Sequence, residues 1–414
     1  MHKLVGLVGW VLIACTVIAA AEAGGFLYYS WLMGRPVSAA AMYAHQPNAF
    51  IEQAAGGGCS YVDTLYPHPF LAHIHRPLPG CGMTMNVNKK GLMGPEYPLE
   101  RDRSKYSILI TGGSVASQFA GAFKKGPNFL EDELNRCYVP PSGSAFAVYN
   151  GADGGWKQPI ATIMALLYGD AFDALISIEG YNEHWAMRHT RIEFPSSNFV
   201  TVNPFVSNSY ERVASVWLGK KLHEGVISNA ILRNSFMAYA LVSAIKSHLA
   251  EAATPNDQSS VLHENFALPS DWSGDRKFGF NLRQYQKYVR ATASIMAPKR
   301  TAFFIQPVPA LSKPLTPQER NVVGDLSYSD DYQRIAESLL ALEAEGLNVF
   351  SLIDAFAGDD RTIYADVIHF VRDNDADSIG NRVLARNVAE RISVAWSIER
   401  KSTCEQTAHV SNQP

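Results

Sequence analysis

ILITGGSVASQF (residues 108–119) passes from an apolar segment with strand character, through two glycines and a serine, into a segment that suits a helix. A serine after a Gly-Gly bend is a good helix N-cap, because its hydroxyl can accept a hydrogen bond from an orphan amide. The same arrangement of strand, turn and helix can also present a serine as a nucleophile. On this stretch alone both explanations of Ser114 stay open, so the rest of the chain has to decide between them.

Short apolar runs alternate with helical patterns from this point onward. The runs predicted as strands are SILIT (107–111), SAFAVYN (144–150), ALISIEG (174–180), TAFFIQPV (301–308) and LNVFSLID (347–354). Helices are predicted from Ser114 and over about 158–168, 282–296, 332–345 and 377–398. Continuous apolar strands separated by helices favour a parallel sheet covered on both faces. We therefore expect an α/β fold with a doubly wound parallel five-stranded sheet flanked by helices, which binds ligands beyond the carboxyl ends of its strands.

A long insertion, about 187–278, separates the third and fourth predicted strands and contains a helical stretch near 226–250. The apolar positions of that stretch are expected to be core contacts. We expect the insertion to be a cap or lid over one end of the sheet. The alternative is that it only pads one edge.

The N-terminus differs in composition from the remainder. The chain is apolar from Leu4 to Ala21, breaks at Glu22 and resumes as FLYYSWLM (26–33), which is near the length needed to cross a bilayer. Cleavage after the A-x-A sequence ending at Ala23, lipidation at Cys15 and an uncleaved signal anchor are the three explanations. Apolar sequence continues past both processing sites, which favours the anchor. Each explanation places the main body outside the cytoplasm, in the periplasm or at the cell exterior.

The composition limits which partners and which disulfides are expected. The chain has 414 residues, is 47% hydrophobic and 18% charged, and carries a formal net charge of -3 with no long basic run. Nucleic acid is therefore not an expected partner. Setting Cys15 aside, an even number of cysteines in an oxidising compartment allows two disulfides. Because Cys59 and Cys81 bracket a short loop, we expect that pair, which leaves Cys137 with Cys404; four unpaired thiols are the alternative.

Other chemistries find little support. His68, His73 and His75 lie close together in sequence, but the neighbouring prolines disfavour a regular pairing and no cysteine pair has zinc-finger spacing. GGSVAS lacks the lysine of a phosphate-binding P-loop, and NGADGG does not fit G-x-G-x-x-G. We expect neither a metal nor a cofactor.

Polar and glycine residues instead collect at the predicted strand ends. NGADGG (150–155) ends at Gly155, EGYNEHW (179–185) contains Asn182, and YADVIHF (364–370) places Asp366 and His369 three residues apart. Separately, each has an ordinary explanation: a turn glycine, a loop amide, a cap and a core histidine. Together they are the base, the orienting carboxylate and the oxyanion donors that a serine nucleophile requires. Their order places all of them where a parallel sheet would gather them.

GGS (112–114), NGADGG, EGYNE (179–183) and DVIH (366–369) resemble, in order and spacing, the four motifs of the SGNH hydrolases, also called the GDSL esterase/lipase superfamily. The resemblance covers about 98–398. HPFLAHIHRP (68–77) and NKKGLMGPEYP (88–98) look like the lead-in of membrane-anchored bacterial members, and QPVPALSKPLTPQE (306–319) like their fourth-strand loop. The implied domains are an anchor or signal peptide at 1–36, a lead-in at 37–100, an SGNH-like domain at 101–400 and a tail at 401–414.

The resemblance implies a role for each residue. Ser114 would be the nucleophile, His369 its base and later acid, and Asp366 the group that fixes the imidazole tautomer. The oxyanion hole would consist of the Ser114 amide, the Gly155 amide and the Asn182 side chain. Two positions depart from the family pattern: Gly113 stands where the family name has Asp, and Glu183 replaces the usual Asp after Asn182.

The sequence therefore predicts an exported serine esterase, attached to the inner membrane through its N-terminal segment. It would hydrolyse O-acyl esters, acetyl foremost, on an envelope carbohydrate through an acyl-enzyme, and an acylated carbohydrate or another ester would be its partner. An O-acyltransferase with the same triad is one alternative. A non-catalytic binding module with this fold is the other.

Overall fold

The structure is a computed structural model that describes residues 2–44, 64–76, 86–122, 128–189, 193, 210–253, 267–372 and 378–404. The chain forms two compact units. The first consists of Met1–Tyr66, His75–Thr84 and Val200–Val261, and the second of Pro67–Ile74, Met85–Phe199 and Leu262–Pro414. Much of the predicted insertion therefore groups with the N-terminal segment, which the sequence did not suggest. The lid role expected for it stays a prediction.

The elements are numbered in chain order. The strands are β1 (Leu65–Pro67), β2 (His73–His75), β3 (Tyr106–Gly112), β4 (Phe146–Ala152), β5 (Ala174–Glu179), β6 (Arg300–Ile305) and β7 (Val349–Ser351). The α-helices are α1 (His2–Leu32), α2 (Ala39–Ala44), α3 (Ser114–Phe119), α4 (Phe129–Cys137), α5 (Ile160–Tyr168), α6 (Tyr181–His189), α7 (Tyr210–Ser228), α8 (Ala230–Arg233), α9 (Phe236–Ala253), α10 (Gly274–Met296), α11 (Pro309–Ser312), α12 (Pro317–Val322), α13 (Ser329–Leu340) and α14 (Ile379–Ala395).

The second unit contains a five-stranded parallel sheet in the order β4-β3-β5-β6-β7. Numbered within the sheet this is 2-1-3-4-5, one of the common orders of doubly wound folds. The prediction of a doubly wound α/β fold with five parallel strands is confirmed. The strand order reverses between β3 and β5, so the carboxyl ends of these two strands form the crevice where such sheets bind ligands.

The pleat of β3 shows how the sheet is covered. Ile108 and Ile110 point to one face and pack in a cluster with α4 and α14, whereas Leu109 points to the other face and packs with α5. All three side chains are completely buried. A strand with both faces covered needs an uninterrupted apolar run, and SILIT supplies it.

A disulfide joins Cys137, the last residue of α4, to Cys404 near the end of the described chain. Its Cα atoms are 5.0 Å apart, and an antiparallel bridge between Tyr138 and Arg400 lies beside it. The pairing of Cys137 with Cys404 is confirmed. Cys59 and Cys81, for which a disulfide is also predicted, lie outside the described residues.

We expect Cys137→Ser to lower the free energy of unfolding by about 2–5 kcal/mol, because the disulfide closes a very long loop and restricts the unfolded chain. Thermal unfolding of the non-reduced protein measures the loss. Cys15→Ser, which removes an exposed free thiol, is the matched control and should unfold like the parent. Equal stability of the two variants would contradict the prediction.

Candidate active site

Ser114 stands directly after the carboxyl end of β3. Gly112 has φ +137°, and a Cβ there would come within 2.1 Å of the Ile178 carbonyl oxygen on β5. A Cβ on Gly113 would come within 2.2 Å of the Asn182 amide nitrogen. Gly112 is therefore required by the close approach of β5, and a side chain at Gly113 would displace the Asn182 amide. Gly113, not Ser114, is the N-cap of α3, and it makes no side-chain cap bond.

The Ser114 hydroxyl is consequently available to a partner other than the helix backbone. His369 Nε2 lies 2.7 Å from Ser114 Oγ, and His369 Nδ1 lies 2.7 Å from Asp366 Oδ2. The structure thus brings together three predicted residues, two of which are 255 positions apart. These separations are within the hydrogen-bond reach that proton transfer requires.

A tight loop holds Asp366 and His369 in this arrangement. The backbone closes on itself, because Ala365 N donates to His369 O (2.8 Å) and Val371 N donates to Ile363 O (2.7 Å). Asp366 Oδ1 accepts hydrogen bonds from the amides of Ile368 (2.9 Å) and His369 (2.8 Å). One carboxylate oxygen therefore fixes the loop, while the other faces the imidazole.

The charge of Asp366 determines which nitrogen of the His369 ring carries the proton. Burial by itself would raise the pKa of Asp366, but the hydrogen bonds and charge of the His369 ring, together with the two loop amides, outweigh it and lower the pKa to about 2. Near neutral pH Asp366 is therefore a carboxylate that can only accept hydrogen bonds. His369 Nδ1 consequently carries a proton, and Nε2 is left to accept the hydroxyl proton of Ser114.

A second loop, between β6 and α13, binds the backbone of the loop that carries Asp366 and His369. The buried Glu319 carboxylate accepts hydrogen bonds from the amides of Ile363 (2.7 Å) and Tyr364 (3.0 Å) and pairs with buried Lys313 at 3.2 Å. Ser312 Oγ lies 2.6 Å from the Tyr364 hydroxyl. Sequence reasoning missed Glu319. The T-x-x-E pattern of a capping box, which the structure forms at the start of α12, was the available signal.

The predicted oxyanion donors lie around the Ser114 turn. Asn182 Nδ2 donates to the Trp156 carbonyl (2.8 Å), which ties the first turn of α6 to the turn after β4. Gly155 immediately precedes Trp156 and has φ +73°. The Gly154 amide donates to the Asp153 carboxylate (2.7 Å) in the same turn. Asn182 Nδ2 has a second hydrogen, which is available for a ligand.

Glu183 holds these two turns together. Its buried carboxylate accepts a hydrogen bond from the Gly180 amide (2.8 Å) with one oxygen and from the Gln158 amide (3.0 Å) with the other. The sequence singled out this position only as a departure from the family pattern. Its structural role is to hold the backbone just before Asn182 and just after Trp156.

A second buried carboxylate lies beside Glu183. Burial and the negative charge of Glu183 raise the pKa of Glu179 to about 8, although hydrogen bonds from Ser177 and the Gln158 side chain oppose the rise. Burial also raises the pKa of Glu183, against its backbone hydrogen bonds and the charge of Lys157. Since two backbone amides donate to Glu183 and none of the bonds to Glu179 comes from the backbone, Glu179 is the member that holds a proton at neutral pH.

The histidines of the lead-in segment have separate partners. His73 Nε2 lies 3.4 Å from the Asp153 carboxylate in the turn after β4. His68 Nδ1 accepts from the amides of Phe70 and Leu71, and His75 Nδ1 lies 2.8 Å from Thr64 Oγ1. His73 thus supports the turn that carries Gly155, a contact that sequence reasoning did not find.

Comparisons with known proteins give distant structural similarity. No family model and no curated protein matches the chain. A lipase/acylhydrolase from Enterococcus faecalis covers 72% of this chain and 98% of its own at 10% identity and TM-score 0.34. The acetyl xylan esterase AlAXEase covers 70% and 98% at 11% identity and TM-score 0.32, and LAE5, an alpha/beta hydrolase enzyme from a lake metagenome, covers 70% and 94% at 12% identity and TM-score 0.32. Substrate and mechanism therefore have to be argued from the site itself.

We expect Glu183→Gln to destabilise the protein by about 1.5–3 kcal/mol at pH 7. The variant replaces one acceptor oxygen with an amide that faces a backbone donor, and hydrogen bonds to charged groups contribute about this much. Urea unfolding measures the loss. Glu343→Gln, at an exposed position, is the control, and similar unfolding of both variants would show that the two backbone hydrogen bonds to Glu183 do not stabilise the protein.

Glu179→Gln, in contrast, should stabilise the protein relative to the parent as the pH rises. The pKa of Glu179 is raised in the folded state from its ordinary value of 4.5 to about 8, so the folded protein holds a proton that the unfolded chain releases. This group's contribution to stability is fully present below about pH 4.5 and falls as the pH rises toward 8. Glu179→Gln removes that dependence. Its melting temperature relative to the parent should therefore increase between pH 5 and pH 8, and a constant difference would show that Glu179 is ionised throughout.

Proposed function

We propose that the protein is an SGNH-type serine ester hydrolase with Ser114 as nucleophile. The observation that supports this most directly is the continuous hydrogen-bonded path from Ser114 Oγ through the His369 ring to Asp366, with both links at 2.7 Å. A serine hydroxyl is a weak nucleophile on its own and is activated by an adjacent base that a third group orients. The three side chains fit these three roles.

The chemistry follows from the proton positions. Ser114 Oγ attacks the ester carbonyl carbon while its proton moves to His369 Nε2. The tetrahedral intermediate collapses, the alcohol leaves with that proton, and the acyl group stays on Ser114. A water molecule then attacks the acyl-enzyme and gives a proton to Nε2, after which the acid departs and Ser114 regains its hydrogen. Asp366 stays ionised throughout and stabilises the imidazolium formed in each half-reaction.

Negative charge on the carbonyl oxygen needs donors that are in place before the reaction. We assign this role to the Ser114 amide, the Gly155 amide and the second hydrogen of Asn182 Nδ2. The first amides of a helix have no intrahelical partner, and Ser114 is the first residue of α3. Glu183 fixes the backbone that carries Asn182, so the donors need no rearrangement when the oxygen becomes charged.

For the substrate we propose an O-acyl ester, acetyl foremost, on an envelope carbohydrate outside the cytoplasm. One N-terminal helix is long and apolar enough to cross a membrane, which supports attachment of the site to a membrane surface. The presence of a complete serine, histidine and carboxylate arrangement favours an enzyme over a binding module with this fold.

The triad is tested with the full-length protein in detergent. We expect a fluorophosphonate probe to label it, and we expect Ser114→Ala to lose both labelling and p-nitrophenyl acetate hydrolysis. His369→Ala and Asp366→Asn should lower kcat by about 10³–10⁵-fold, because triad members act as a unit. Ser144→Ala and His248→Ala, at exposed positions, are the matched controls and should keep the parental rate.

The outcome also separates the alternatives. Labelling that survives Ser114→Ala would remove this residue from the proposed role, and absence of labelling in the parent would favour a binding module. Free acetate released from an acetyl donor at the same rate with and without added glycan supports hydrolysis. Transfer of the acetyl group to the glycan would identify an acyltransferase.

A further inference from the structure

The first unit contains a helix whose two halves have different surroundings. Between Lys3 and Glu22 helix α1 has no charged residue, and at 1.5 Å per residue this stretch is about 27 Å long, close to the thickness of a bilayer core. Its described part from Val8 to Ala20 is almost entirely exposed. By length and composition the candidate span runs from Val8 to Leu32. We take its charge-free stretch, which ends at Glu22, as the part that the bilayer core would cover.

Glu22 is bound to another helix at this point. Its carboxylate accepts hydrogen bonds from the Ser235 hydroxyl and from the Phe236 amide (2.7 Å), at the start of α9. The helices are in close contact, because a Cβ added to Gly25 would come within 2.6 Å of Phe236 Cβ. Tyr29 stacks on Phe236 with ring centroids 5.9 Å apart. The first turn of α9 is thus fixed at the polar end of the apolar stretch.

Going along α1 from Glu22, the contacts with α9 move in the same direction along α9. Glu22 meets Phe236, and Tyr29, two turns further along α1, contacts Tyr239 at 5.1 Å. Helix α9 therefore leads away from the apolar half of α1. Helix α7 packs along α9 and is joined to it through α8, so the turn between them, Ser228–Met237, lies nearest to the apolar half. We call this segment the hairpin tip.

The hairpin tip exposes large apolar side chains. Ile231 is 81% exposed, Leu232 41% and Met237 44%, and Leu241 one turn further along α9 is 62% exposed. Arg233 is the one charged residue between Ser228 and Met237. Such a surface is unfavourable in water, whereas it suits the boundary between headgroups and acyl chains, where a basic residue can meet anionic lipid.

Backbone polar groups of the hairpin tip have hydrogen-bond partners in the protein, which a medium with little water requires. Asn229 Oδ1 accepts hydrogen bonds from the amides of Ile231 (2.9 Å) and Leu232 (3.1 Å), and Asn234 Nδ2 donates to the Ala230 carbonyl (2.8 Å). Glu22 satisfies the first amide of α9. Polar backbone groups that would be costly to expose to lipid therefore have partners within the segment.

We propose that the hairpin tip inserts into the interfacial region of the same bilayer face at which the apolar stretch of α1 ends. The protein then contacts the membrane at two adjacent places, one crossing helix and one apolar turn held beside it by Glu22. Two contacts restrict tilting and rotation of the first unit about α1, which a single helix leaves free. The inference rests on α1 crossing a bilayer and is independent of the catalytic role of Ser114.

The test is a depth measurement on the full-length protein in vesicles made of equal amounts of phosphatidylcholine and phosphatidylglycerol. Bimane is attached to Ile231→Cys in a Cys15→Ser background, and the unmodified background supplies the blank. We expect lipids with a nitroxide near the headgroup to lower the fluorescence at position 231 at least about twofold. Bimane on Trp217→Cys, a position in the same unit that is 55% exposed and lies about three turns before the tip on α7, is the matched control and should be quenched less.

Two further arms keep the result interpretable. Bimane on the native Cys15 must be quenched by a nitroxide deep in the acyl chains, which verifies α1 separately from the tip. The double variant Ile231→Asp and Leu232→Asp should abolish quenching of bimane on Leu241→Cys, while circular dichroism shows that the helices persist. Quenching at Cys15 without quenching at 231 would overturn the proposal. So would a label at 231 that lipid does not quench but that is shielded from iodide, since a protein partner would then cover the tip.

Discussion

The close approach of β3 and β5 at their carboxyl ends is the constraint on which the site depends. There is no room for a side chain at Gly112 beside the Ile178 carbonyl, and a side chain at Gly113 would displace the Asn182 amide. With both positions reduced to backbone, Ser114 begins a helix directly above the point where the strand order reverses. A hydroxyl at this place lies beside the segments that follow the neighbouring strands β4 and β5, which carry Gly155 and Asn182. The imidazole of His369 comes from the segment after β7, at the far edge of the sheet.

Two buried glutamates use the same device to hold these loops. Glu319 accepts two amides behind the loop of Asp366 and His369, and Glu183 accepts two amides beneath Asn182. A carboxylate that receives two backbone donors fixes two peptide planes at once, which a neutral side chain of similar size does less strongly. Burying the charge has a cost, and it is reduced by Lys313 in one case and by the proton on Glu179 in the other. The two buried glutamates thus hold the backbone of the loops, while the side chains of Ser114, His369 and Asp366 stay partly accessible.

The two compact units have different kinds of surface. In the second, the apolar side chains of the sheet are covered by helices on both faces. In the first, apolar side chains remain exposed along α1 and at the hairpin tip. If the hairpin tip inserts as proposed, a lipid surface removes these side chains from water without a protein partner. The first unit would then hold the protein at the membrane.

The sequence by itself determined the five strands and most of the helices between them, with α4 missed, because local burial patterns are properties of the chain. The order of its short motifs also proposed Ser114, Asp366, His369, Gly155 and Asn182 as site residues, and the structure brings the first three within hydrogen-bond distance. It also indicated the apolar N-terminal helix. The contacts of Glu183, Glu319 and His73 and the pairing of α9 with α1 were decided only by the tertiary structure. Each of these depends on which distant segments come into contact, for example Glu22 with Phe236 across 214 positions, and no local pattern records such a contact. Periodicity specifies which side of an element is buried, whereas close packing specifies what buries it.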